Sequence, residues 1–127
     1  MDRRVALSAA LGLHLAAAVA HGSTHALVPV WLPPGQQALV LATTFLGPIA
    51  GVALAWRNHP LGVPLFTASM AGALLVGGVL HFVVETPDHV RAIPGGPWQV
   101  PFRVTAAGVA VTSTLGVVVG VWARDAS

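Results

Sequence analysis

The side chains best suited to chemistry in this sequence are histidines. Six occur in 127 residues, and five of them fall in or beside two apolar segments. His14, His21 and His25 follow one another with gaps of seven and four. At about 100° per residue the three lie within roughly 40° of one another on one helical stripe. A second series, His81, Glu85, Asp88 and His89, has gaps of four, three and one and is interrupted by Pro87. Imidazoles at i and i+4 on one helix face can share a cation, and a carboxylate from another helix completes a set of three or four ligands. A mixed imidazole–carboxylate set suits copper, zinc or iron better than magnesium or calcium.

The elements that must position these groups follow from composition. Hydrophobic residues make up 55% of the chain and charged residues 8%, with a mean hydropathy of +0.78. A soluble domain carries about 25% charged residues. This composition excludes a free-standing soluble enzyme, a nucleic-acid-binding domain and a disordered linker. At about 20 residues per crossing, the length allows four transmembrane helices with short loops, in one domain covering residues 1–127. The expected fold is all-α: an integral membrane four-helix bundle with helices at about 5–30, 37–56, 61–85 and 102–123. The first apolar segment follows Asp2, Arg3 and Arg4, like the charged start of a secretory signal. It is longer than a signal core of about 7–15 residues, so it reads as a retained helix. Turns are expected at Pro33, Pro34 and Gly35, at 57–60, and in the long loop holding Pro94, Gly95, Gly96 and Pro97. Pro48 should kink the second helix.

Orientation follows from the arginines. Arg3, Arg4, Arg57 and Arg124 belong to the end that carries the N-terminus, and Arg91 and Arg103 to the opposite end. That excess places both termini in the cytoplasm, N-in and C-in. Trp31 and Trp98 then fall at the outer boundary and Trp56 and Trp122 at the inner one, where indole rings prefer to sit. Gly47 and Gly51, and Gly116 and Gly120, have the G-x-x-x-G spacing that lets helix backbones approach closely. Such pairs serve either packing within the chain or assembly into a homo-oligomer or a larger membrane complex.

Depth brings the two polar series together. The first and third helices run in the same direction, so His21 and His81 share a height, with His25 and Glu85 one turn further out. The expected site is therefore His21, His25, His81 and Glu85 near the extracytoplasmic side, with Asp88 and His89 at its mouth. Ionisable groups in hydrocarbon cost several kcal/mol unless paired, which makes such a cluster a functional candidate. His14 lies deeper, either as a further ligand or as a neutral core histidine bonded to a Ser or Thr hydroxyl or a backbone carbonyl. His59 beside Arg57 reads as interfacial turn chemistry.

Three functions fit this pattern. The first is a transition-metal site for copper, zinc or iron, serving metal handling or redox chemistry. The second is a b-type cytochrome, with haem b held between His21 and His81 and with Gly72, Gly77 and Gly78 making room for the porphyrin. The third is a non-catalytic accessory or assembly subunit whose histidines form a proton-linked network. Zero Cys excludes disulfides, iron–sulfur sites and c-type haem attachment. With just two Met besides, a cuprous transfer chain built on sulfur ligands is also disfavoured. All six basic residues are Arg, so no Schiff base can form. They are dispersed, so there is no basic face for nucleic acid. No H-E-x-x-H, G-x-S-x-G or P-loop motif is present, and no nucleophile–base pair marks the chain as an enzyme. The chain reads as a multi-pass protein of the cell membrane, in contact with the lipid bilayer, with the Lys-free, Ala-, Val- and Gly-rich composition of a GC-rich prokaryotic genome.

Overall fold

A computed structural model of the chain describes residues 1–126. Among these residues there are four long helices and no strand: α1 (Arg3–Leu27), α2 (Pro34–Trp56), α3 (Gly62–Val83) and α4 (Gln99–Asp125). Each has the length and apolarity to cross a membrane. The ends differ from the sequence expectation where proline intervenes. Pro29 lacks an N–H and forces Val28 into an extended conformation, so α1 stops at Leu27. Pro34 and Pro101 instead occupy first turns, where a missing N–H costs nothing, so α2 and α4 start about three residues early.

Two helices contain a wider, π-helical turn. In α2 it covers Leu41–Leu46, and the N–H of Gly47 reaches back five residues to the carbonyl of Ala42. The cause is next door: Pro48 has no N–H to offer the Thr44 carbonyl four residues back. The expected kink is thus absorbed as a change of helical pitch. In α3 the last turn, Val79–Val83, is also π-helical and closes with Val84 N–H on the Val79 carbonyl. Val84 is extended, which ends the helix two residues short of Glu85.

Around the bundle, α1 packs on α4, α4 on α3, and α3 on α2, with α2 closing the ring against α1. Consecutive neighbours are antiparallel, and α1 and α3 face each other across the diagonal. Close approach depends on glycine. A Cβ at Gly51 would lie 2.7 Å from the Cα of Phe66, and one at Gly62 equally close to that of Ala55. Gly116 and Gly120 make room for Met70 and Thr67. Both G-x-x-x-G pairs are therefore used within the chain, against α3.

The bundle holds polar groups within an apolar core and is apolar outside as well. Beneath its surface His14, His21, Thr44, Ser69, His81 and Ser113 lie among Leu7, Phe66, Met70 and Phe102, whereas Leu13, Val19, Leu46, Leu75, Val111 and Val118 are exposed along its flanks. Such flanks suit a hydrocarbon surrounding, because lipid takes apolar side chains without penalty and leaves polar groups to find partners inside. All four tryptophans are at least 42% exposed and sit near helix ends. Arg4 hydrogen-bonds Asn58 and stacks over Trp56, and Trp56 Nε1 donates to Ser8 Oγ at 3.0 Å. These contacts tie the α2–α3 turn to the start of α1.

Gly51→Ala tests the packing. The added methyl meets backbone rather than a flexible side chain, so it should cost about 1–3 kcal/mol, read as earlier loss of helicity on denaturation in detergent. Gly78→Ala meets nothing within 4 Å and should stay within about 0.5 kcal/mol of the parent. Equal stability of the two variants would contradict this account of helix contact.

Candidate metal centre

On α1 the buried positions Leu7, Ala10, His14, Ala18 and His21 recur at helical spacing, so the stripe expected from sequence faces the interior. One turn beyond His21, the partly buried His25 completes the row. From the opposite corner His81 reaches across, carried on the terminal π turn of α3. His21 Nε2 stands 3.0 Å from His81 Nε2 and 3.2 Å from His25 Nε2. One ring nitrogen from each of the three lies within 4.8 Å of the other two.

The outer ring nitrogens constrain the protonation pattern. His25 Nδ1 is 3.0 Å from the Val30 carbonyl and His81 Nδ1 is 2.9 Å from the Asp88 carbonyl. A carbonyl only accepts, so both Nδ1 atoms carry hydrogen. His21 Nδ1 lies 3.0 Å from Thr105 Oγ1, which is also 2.8 Å from the Pro101 carbonyl. Thr105 either accepts from His21 Nδ1 or donates to it, and in the second case the His21 hydrogen sits on Nε2. As neutral rings, His25 and His81 carry no hydrogen at Nε2, so the three Nε2 atoms share at most one hydrogen, on His21. A cation among the three nitrogens would take all three as ligands. Tetrahedral zinc, with bonds near 2.0–2.1 Å, holds its nitrogens about 3.3 Å apart.

Asp88 supplies the negative charge. Its carboxylate is 3% exposed as a residue, and neither oxygen has a hydrogen-bond partner. Oδ1 lies 3.4 Å from His25 Nε2 and Oδ2 3.3 Å from His81 Nδ1. A buried carboxylate without donors is costly unless a cation is near. The residues after α3 fold back to place it there. Val90 N–H donates to the His81 carbonyl at 2.9 Å, Thr86 Oγ1 to that of Leu80 at 3.4 Å, and Arg103 Nε to that of Val90 at 2.8 Å.

The sequence expectation had put Glu85 in this position. Glu85 is exposed, because α3 has already ended and the extended Val84 turns it outward. It borders a cleft with Pro87, His89 and Arg91. His89 is buried outside the three-histidine group, its Nδ1 accepting from the Arg91 N–H at 3.1 Å.

His14 stands apart from the cluster, seven residues or about 10 Å below His21 along α1. Its Nε2 donates to the Thr44 carbonyl at 3.2 Å, and Thr112 and Ser113 hydroxyls lie 3.3 and 3.4 Å from its Nδ1. The carbonyl it meets is the one Pro48 leaves without an α-helical donor. His14 is thus a saturated structural group and is not aimed at the site. His59 is exposed in the α2–α3 turn, where its Nδ1 accepts from the Leu61 N–H at 3.2 Å.

Sequence reasoning did not reach the contribution of α4. Phe102 is fully buried beneath the three imidazoles, with ring centroids 4.8, 5.0 and 5.7 Å from those of His21, His25 and His81. Together with Val28, Val30 and Ile93 it closes the site on the loop side with an apolar cap. The available signal was hydroxyls within an apolar helix, Thr105 at the level of the cluster and Thr112, Ser113 and Thr114 further along.

His14→Leu should cost about 1–2 kcal/mol of stability by orphaning the Thr44 carbonyl, and should cost less in a Pro48→Ala background that restores a backbone N–H. Equal costs in the two backgrounds would contradict the pairing. Set against family models, curated proteins and solved structures, the chain matches none.

Proposed function

We propose that this chain is a multi-pass membrane protein that binds one transition-metal ion, copper, zinc or iron, through the Nε2 atoms of His21, His25 and His81. The carrying observation is one ring nitrogen from each of the three histidines within 4.8 Å of the other two, beside a buried carboxylate without a hydrogen-bond partner. Asp88 offsets part of the ion's charge. Hydrogen bonds at Nδ1 with Thr105 and with the Val30 and Asp88 carbonyls hold the rings in place, as outer partners commonly do for ligating histidines. Imidazole donors suit all three metals, and the lack of thiolate fits none in particular. With the termini in the cytoplasm, as the arginines indicate, the site lies toward the extracytoplasmic face.

The spacing favours a bare ion over haem b. Axial nitrogens on opposite faces of one iron stand about 4 Å apart, twice a metal–nitrogen bond near 2.0 Å. His21 and His81 are 3.0 Å apart, with no gap for a macrocycle.

Protein purified in detergent should carry, or take up, one metal ion per chain by elemental analysis and show no Soret band. His21→Ala and His81→Ala should each abolish binding, whereas His59→Ala should keep it. Full metal content in both of the first two variants would sink the proposal, and a Soret band would replace it with haem. Because the chain has no Cys, orientation can be read from single cysteines placed at Gly95 and Pro34. Both should label from outside the cell; labelling from the cytoplasmic side alone would move the site to the inner leaflet.

A further inference from the structure

Beside the three histidines lies a cavity of about 120 Å³, bordered by His21, His25, His81 and Asp88 at one end. Its other walls are mainly apolar, among them Ala73, Val76, Gly77 and Leu80 of α3. Resting on the metal reading above, we propose that the ion keeps one coordination position open toward this cavity. That position would take a small, uncharged, largely apolar molecule with a single donor atom, up to the size of a six-membered ring.

Three observations carry this. Three protein ligands leave a tetrahedral ion one position short, which is the pattern of reactive metal sites, whereas structural sites are closed by four. The cavity touches every one of the three imidazoles, so the missing position and the empty volume adjoin. Its size is close to that of an engineered apolar cavity of about 150 Å³ that takes up benzene or xenon. An anion would have to shed its water among apolar walls and beside the Asp88 carboxylate, which selects for neutral ligands.

The route in is also visible. Leu32, Val40 and Phe45 line the cavity and equally line a groove on the outer surface of α2, next to Pro34 and Leu41. A molecule dissolved in the bilayer can reach the site past these three side chains, while the cap of Val28, Val30, Ile93 and Phe102 covers the loop side.

Cobalt(II) reports the test, because its visible absorption changes with coordination. Pyridine added to the cobalt-loaded protein should change the spectrum saturably. Benzene, which fits the cavity and ligates nothing, should raise the pyridine concentration required. A Cβ at Gly77 meets only His81 Cδ2, at 4.0 Å, so Gly77→Val has room to fold and fills the cavity. It should bind cobalt at the parent stoichiometry and lose about tenfold or more in pyridine affinity, with Gly78→Val unchanged. No pyridine response in cobalt-loaded parent protein, or a response that benzene and Gly77→Val both leave unaltered, would overturn the open position alone. Failure of the parent to bind cobalt would overturn the metal site beneath it.

Discussion

A polar group buried among apolar helices must find its partner inside the bundle. Flanks as apolar as these offer no side chain to take up a stray carbonyl or imidazole, and a lipid surrounding would offer no water either. This constraint governs the interior from end to end. Where Pro48 removes a donor, His14 crosses from α1 to supply one to Thr44. Where three histidines enter from α1 and α3, His25 and His81 place their Nδ1 hydrogens on carbonyls, and His21 Nδ1 meets the Thr105 hydroxyl. Once these demands are met, three Nε2 atoms share at most one hydrogen, and the two oxygens of Asp88 have no hydrogen-bond partner. All are electron-rich, and all lie in one place. That residue of unmet demand separates a site from a scaffold.

Two groups of histidines on the same stripe thus come to opposite ends. His14 has a donor or an acceptor at both ring nitrogens and is fully buried, so it has nothing left for a ligand. His21 has a hydroxyl at Nδ1 and only other imidazoles at Nε2. The difference comes from what the facing helix offers at each level. At His14, α2 presents a proline-orphaned carbonyl. At His21, α3 presents another base.

Helix geometry made much of this legible in the sequence. A stripe repeats at fixed angle and rise, so the gaps between His14, His21 and His25 fixed their common face, and counting from helix ends fixed the shared height of His21 and His81. The same count put Glu85 ahead of Asp88 as the acidic member. Extending the helical count past His81 selects Glu85, one turn on, but α3 stops at Val83 and the register ends with it. Asp88 arrives by a folded loop held through Thr86, Val90 and Arg103, and no periodicity encodes such a path. The role of His14 was equally hidden, because it depends on Pro48 acting four residues upstream on a different helix.

The π-helical turns mark the two levels at which these requirements are met. One lies in α2 beside the carbonyl that His14 serves, and the other ends α3 and bears His81. A π turn costs hydrogen-bond quality and persists where surrounding contacts compensate. In α2 the compensation is His14. In α3 the turn closes on Val79, and the His81 carbonyl beyond it is taken by Val90 of the returning loop. The same loop that completes the backbone there also delivers Asp88, so the end of α3, the loop and the carboxylate form one folding unit. Tying His81 and Asp88 to that unit places both at fixed distance from α1, and Phe102 of α4 fills the space between. The histidine cluster is therefore specified by contacts among helix ends, in a molecule whose exposed flanks are mostly apolar.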